Sequence, residues 1–208
     1  MFPIETFISF ATASILLAAA PGPDNIFVLT QSALQGPRAG LVVTLGLCSG
    51  LVVHTTAVAL GVAAIFQTST AAYTALKLAG AGYLLYLAWQ AFHASATKIS
   101  TDKGIRMPLS KLYKRGIIMN VTNPKVSIFF LAFLPLFADP ARGPIAFQIM
   151  GLGVIFIFST ILVFSAVALI SGSVGQWLNR SERAQRLMNL LAGMVFVTLA
   201  AALFIEKG

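Results

Sequence analysis

Charge and cysteine are what this chain has least of, and each shortage removes a class of function. Cys48 is the single cysteine among 208 residues. An intramolecular disulfide, a paired-thiol redox relay and a thiolate metal cluster are therefore excluded. Charged residues make up only 10% of the chain against 58% hydrophobic, where a soluble domain carries about 25% charged residues. With a mean hydropathy of +0.88, no stretch is left over for a second, soluble domain. Acidic residues are the scarcer kind, six against fourteen Lys and Arg, for a net charge of +8. That excess does not point to nucleic acid. The basic residues lie mostly in short loops between apolar runs, which is the pattern that sets membrane topology. No arrangement of nucleophile, metal ligands or thiols calls for an enzyme or a cofactor. Ala18-Ala19-Ala20 resembles a signal-peptide cleavage site, but the preceding Met1-Phe2-Pro3-Ile4-Glu5 has no basic residue. The segment is read as retained.

What the chain does have is apolar runs, and a spanning helix needs about 20 such residues. Six are expected, at about 4–34, 39–66, 71–92, 116–137, 145–170 and 187–205. The turns between them are Gly36-Pro37-Arg38, Gln67-Thr68-Ser69-Thr70, a basic loop over 96–115, the stretch from Asp139 to Pro144, and a loop carrying Arg180, Arg183 and Arg186. The loops after the first, third and fifth spans hold ten Lys and Arg, whereas the opposite side holds Arg142 and Lys207. This imbalance predicts the long basic loop in the cytoplasm and both termini outside.

The first and fourth spans are both broken. Pro21-Gly22-Pro23-Asp24 interrupts the first and Asn123-Pro124-Lys125 the fourth. Proline removes a backbone donor and clashes with the preceding turn, and in lipid the freed groups must find partners in protein or in a watery cavity. Each break opens a set of three spans (1–95 and 116–208), and each set continues through a Gly/Pro/Arg turn, Gly36-Pro37-Arg38 or Arg142-Gly143-Pro144. Three spans is an odd number, so the second set must insert upside down. The expected fold is an all-α membrane domain of two inverted three-helix repeats.

The breaks also carry the chemistry. Asp24 lies about 16 Å from the cytoplasmic end of its span and Lys125 about 13 Å from the start of its own, at 1.5 Å per residue. Two opposite charges thus come to similar depth near the bilayer centre. Pro23 and Pro124 suit the first helical position, with Gly22 and Asn123 as N-caps. Two helix N-termini then converge, presenting N–H groups and positive dipole ends to a carboxylate. Asp24 beside them can hold an ammonium or a proton, so a zwitterionic amino acid fits the pair. The bland alternative is a buried ion pair that only fixes helix packing, but intramembrane charges usually mark function.

Other polar residues read less sharply. Lys77 either lines the pathway or snorkels to the outer interface. His54, midway along the second span, is either a proton relay or a hydrogen-bonded structural histidine. Asn25, Asn120 and Asn123 flank the breaks, where Asn120 and Asn123 suit freed backbone groups. Gly46-Leu47-Cys48-Ser49-Gly50 and Ala79-Gly80-Ala81-Gly82 are small-residue faces for helix contact, within the chain or between subunits of a homo-oligomer. Tyr83, Tyr86 and Trp89 read as an interfacial aromatic belt.

With these residues in view, the chain resembles the LysE/RhtB family of amino-acid exporters. The matching stretches are Pro21-Gly22-Pro23-Asp24, the run from Leu76 to Leu84 with Trp89, and Asn120-Val121-Thr122-Asn123-Pro124-Lys125 continued by the run from Phe129 to Phe137. The resemblance covers the full length. It implies an inner-membrane exporter of threonine-, homoserine-, leucine- or lysine-like amino acids, driven by proton antiport. It also implies a substrate-site role for Lys77. The expected binding set is Pro21, Gly22, Pro23, Asp24, Asn25, Lys77, Asn120, Asn123, Pro124 and Lys125, with proton coupling at Asp24 and His54. Partners are the amino acid, protons and the lipid bilayer. An exporter of another solute or a metal ion on the same plan, or a non-transporting assembly subunit, stays open as an alternative.

Overall fold

Proline placement divides the chain into helices. The computed structural model describes residues 3–68, 70–94 and 106–205, and all regular structure among them is helical. The α-helices are α1 (Ile4–Ala19), α2 (Pro23–Gln35), α3 (Pro37–Thr68), α4 (Thr70–His93), α5 (Leu109–Val121), α6 (Pro124–Ala132), α7 (Ile145–Arg180) and α8 (Glu182–Ile205). Short 3-10 turns at Leu134–Phe137 and Pro140–Arg142 join α6 to α7. Six α-helices open on proline or directly after it: α2, α3 and α6 begin at Pro23, Pro37 and Pro124, and α1, α5 and α7 follow Pro3, Pro108 and Pro144. Proline is tolerated at these places because a first-turn N–H has no partner inside the helix.

Among the described residues α3, α7 and α8 are long and apolar enough to cross a bilayer. The pairs α1 with α2 and α5 with α6 pass when each is taken as one bent span, giving up to five. The helix expected at 71–92 is present as α4, which is not among the helices that qualify over the described residues. A further difference concerns the basic loop. Helix α5 starts at Leu109, inside the 96–115 stretch read as loop. Leu112 and Gly116 turn inward there while Lys111, Lys114 and Arg115 stay exposed, so the cations mark the outer face of a helix. The Arg115 guanidinium lies 5.1 Å over the Phe27 ring. Lys98, Lys103, Ser69 and Lys207 lie outside the described residues.

Turn chemistry matches the sequence. Gly36 closes α2 at φ +88° and Gly143 ends the second 3-10 turn at φ +119°, both left-handed positions that favour glycine. Asp139 accepts from Ala141 N at 2.9 Å and pairs with Arg142 at 3.0 Å.

Lipid is as apolar as leucine, so helices here associate by close packing rather than by hydrophobic burial. Helix α3 is the hub, packed on α5, α7 and α2, while α4 packs on α8. The glycines set the closest approaches. A Cβ on Gly116 would meet Val43 O at 2.7 Å, and one on Gly46 would fall onto the Tyr113 carbonyl. The small-residue face at 46–50 is thus consumed inside the chain, between α3 and α5. Beneath the two breaks an aromatic ladder ties α1, α6, the first 3-10 turn and α7 together. Phe129 stacks on Phe133 at 4.8 Å, Phe133 meets Phe137 at 5.1 Å and Phe137 meets Phe10 at 5.0 Å. Phe156 of α7 contacts both Phe129 (5.3 Å) and Phe130 (5.0 Å). Such pairs add about 0.5–1.5 kcal/mol each beyond area burial. Tyr86 and Trp89 instead stack on one another, at 6.3 Å, on the exposed face of α4.

Candidate functional site

Each break is a backbone problem before it is a site. In a continuous helix, Pro21 and Pro23 would be the donors for the carbonyls of Leu17 and Ala19, and both lack an N–H. The chain bends by 60° between α1 and α2, and by 51° at the second break. Residues adjacent in sequence and distant in sequence share the repair of the first break. Asn25 Nδ2 donates to Ala18 O at 2.8 Å and to Ala19 O at 3.4 Å, while Lys125 Nζ donates to Ala20 O at 3.0 Å. A cation there also meets the negative end of the α1 dipole. The second break is repaired from α3: His54 Nε2 lies 3.0 Å from Asn120 O, the carbonyl that Pro124 would otherwise serve. A carbonyl can only accept, so Nε2 carries the proton.

The helices that restart after the breaks do so as the sequence predicts. Gly22 and Asn123 are the N-caps, both extended, with Pro23 and Pro124 as first helical residues. Asn123 Oδ1 accepts from Lys125 N at 3.0 Å, a cap worth about 1 kcal/mol. Asp24 and Lys125 therefore occupy the same second position of their respective helices.

Between the breaks lies a cavity of about 30 Å³, room for one or two water-sized groups. Gly22, Asp24, Asn25, Asn120, Asn123 and Lys125 all border it. Six residues of the expected set are thus brought together. Pro21, Pro23 and Pro124 shape the backbone without lining the space, and Lys77 and His54 stand outside it. The remaining wall is largely apolar, including Leu17, Leu51, Val126, Phe156 and Phe164. Thr160 of α7 also lines it, and sequence reasoning missed this residue. Its only signal is a hydroxyl within an apolar run, and which way a helix turns such a residue is not fixed by composition.

The buried ion pair weighed above as the bland alternative for Asp24 and Lys125 is not what the structure shows. Among the described residues these two make no ion pair; Lys125 Nζ goes to Ala20 O and sits 5.6 Å over the Phe196 ring. Asp24 is 6% exposed. Its Oδ2 accepts from Asn120 Nδ2 at a long 3.4 Å, and its Oδ1 has no partner. A carboxylate so placed is costly if charged and alone, so the arrangement suits an acid that is neutral in one state and holds a cation in another.

The sequence as a whole places this site in a known setting. The model of the LysE type translocator family matches residues 15–207. The chain belongs to this family. It is 30% identical over 199 residues to the homoserine/homoserine lactone efflux protein of Salmonella typhimurium, covering 96% of each chain. It is 28% identical over 206 residues to the leucine efflux protein of Klebsiella pneumoniae, covering 97% of this chain and 96% of the relative. No solved structure matches. As a member of the LysE type translocators, with three apolar spanning helices and two bent pairs, the protein is a multi-pass membrane translocator.

Proposed function

We propose that this translocator exports small amino acids from the cytoplasm in exchange for protons, with Asp24 carrying substrate and proton in turn. The observation that carries the reading is the Asp24 carboxylate, buried between two broken helices without an ion-pair partner. The relatives named for homoserine and leucine efflux support it. The cavity wall narrows the substrate class. Asp24 is the only acid among its lining residues, so a substrate ammonium has a counter-charge, while a second cation on a lysine-like side chain has none. Apolar walls suit an aliphatic or short hydroxylated side chain, as in leucine or homoserine.

The two-repeat plan is part of the proposal. The equivalence of Gly22-Pro23-Asp24 with Asn123-Pro124-Lys125 supports it. So does the packing, in which α3 meets α7, α4 meets α8, and α5 on α3 is matched by α1 on α7. A two-fold relation through the site generates those pairs. The ends agree with six crossings. Gln35, closing α2, reaches Met107 O ahead of α5 at 3.0 Å, and Asn189 of α8 donates to Ala94 O past α4 at 3.2 Å. At the opposite end, Glu5 and Asp139 line one outer hollow. Both termini outside and the basic loop inside follow from the loop charges.

In this mechanism the substrate arrives from the cytoplasm and its carboxylate meets the N-termini of α2 and α6 and Lys125, released from Ala20 O. Its ammonium takes Asp24. A proton from outside displaces it, and the repeats rock about the site. The present cavity is too small for an amino acid, so the helices around it must part to admit one. Proton exchange is assigned to Asp24, and capping of Asn120 to His54.

The test is release of amino acids from cells loaded with dipeptides, comparing intact protein, Asp24→Asn and empty vector. Faster release of leucine or homoserine that needs both the protein and Asp24 is expected. Release unchanged by Asp24→Asn, with both proteins present in the membrane, refutes the assignment.

A further inference from the structure

Thr160 is left without a task by the reading above. It is 3% exposed and borders the cavity, yet Oγ1 has no hydrogen-bond partner. A helical threonine has an easy alternative, which is to turn its hydroxyl back to the carbonyl four residues earlier. Thr44, Thr55 and the adjacent Ser159 all do so, at 2.9, 2.8 and 3.0 Å. Thr160 does not. Two further oxygens on the same wall are equally stranded: Asn120 Oδ1, on a residue 2% exposed, and Asp24 Oδ1, on one 6% exposed. Buried polar atoms without partners are rare and demand an occupant or a cause. Here three of them, from α2, α5 and α7, belong to residues that border one space with room for a water-sized group.

We propose that Thr160, Asn120 and Asp24 form a cradle for a primary ammonium, each oxygen accepting one of its three N–H bonds. The carboxylate of Asp24 balances the charge. Hard metal cations collect six or more oxygens, so a set of three suits an N–H donor better. Lys125 also borders the cavity, but its Nζ is held on Ala20 O, on the side where the α-carboxylate of a zwitterion would follow the ammonium. The cradle makes the protein selective for primary amines. An N-methylated amine brings fewer N–H donors and a methyl group that must sit against a bare oxygen. The proposal rests on the export reading for its link to transport, but not for binding itself.

Two measurements separate the claims. The first is the thermal midpoint of the purified full-length protein in ammonium chloride, methylammonium chloride, tetramethylammonium chloride and sodium chloride at matched ionic strength. Ammonium and methylammonium should raise it by about 2–4 °C at several times their dissociation constant. Thr160→Val should lose that rise and Thr160→Ser keep it, with circular dichroism showing both variants helical. An equal rise in sodium or tetramethylammonium, no rise at all, or a wild-type response from Thr160→Val overturns the cradle. The second is release of L-leucine and N-methyl-L-leucine from proteoliposomes. Thr160→Val should raise the KM for leucine about tenfold, the loss of one charge-assisted hydrogen bond, and leave that for the N-methyl compound nearly unchanged. Equal losses for both overturn the selectivity. Ammonium binding without release of any amino acid would remove the export reading and leave the cradle standing. Leucine export indifferent to Thr160 would do the reverse.

Discussion

Gly50 offers the strictest test of how the site is held, because nothing at that position touches substrate. It lies on α3 where the Asn120 side chain presses flat against the helix. A Cβ added there would sit 2.7 Å from both Cβ and Oδ1 of Asn120 and 3.0 Å from its Cγ. Relaxed carbon contacts lie at about 3.5–4.0 Å, so Gly50→Ala must push Asn120 or all of α5 away by roughly 1 Å. Overpacking of that kind costs about 1–3 kcal/mol, which for a chain of this size lowers the thermal midpoint by roughly 2–12 °C. The functional loss should be larger. The Asn120–Asp24 hydrogen bond is already 3.4 Å long and does not survive a further ångström. Misplacement of that size costs on the order of 100-fold in rate. Leucine and homoserine release from proteoliposomes, with the thermal midpoint measured on the same preparation, reads both effects. Gly61→Ala is the control, since a Cβ there meets nothing within 4 Å. Asn120→Ala keeps the Cβ that the new methyl meets, so only Asn120→Gly added to Gly50→Ala should relieve the clash, without recovering transport. Wild-type release and midpoint in Gly50→Ala would refute the claim that this contact positions Asn120.

Two other substitutions separate structural from functional duties. Lys125→Met leaves Ala20 O unpaired, a loss of about 1–3 kcal/mol visible as a lower thermal midpoint. It should also weaken amino acids more than amines lacking a carboxylate, and equal losses in competition assays would remove Lys125 from carboxylate binding. His54→Gln keeps a donor for Asn120 O, so stability and the pH profile of export should both stay near wild type. A profile displaced along the pH axis with stability intact would assign proton coupling to His54.

The breaks were legible because proline acts locally. A missing N–H frees a carbonyl wherever the residue stands, so the bends and the two N-caps follow from spelling alone. The destination of Lys125 was not. Spacing brings it to the depth of Asp24 to meet a substrate carboxylate, whereas the structure gives it to Ala20 O, where freed carbonyls at the end of α1 compete for donors. The signal for that outcome was present in Pro21 and Pro23, which together create more orphan acceptors than Asn25 can serve. The start of α5 was hidden for another reason. Lys111, Lys114 and Arg115 look like loop, yet Leu109, Leu112 and Gly116 keep helical spacing between them. Thr160 was invisible, since only the rotation of α7 distinguishes it from the neighbouring Ser159.

The way the two breaks are repaired also makes them unequal in time. When α5 emerges from the ribosome, His54, made 66 residues earlier, is already available to its Asn120 carbonyl. The Ala20 carbonyl receives its side-chain donor only from a lysine made 105 residues later. During synthesis the first bent helix therefore waits with a bare oxygen at its elbow while the second closes on arrival. Lys125 is the last piece of the first bend to be made, and that bend is finished only when α6 is in place.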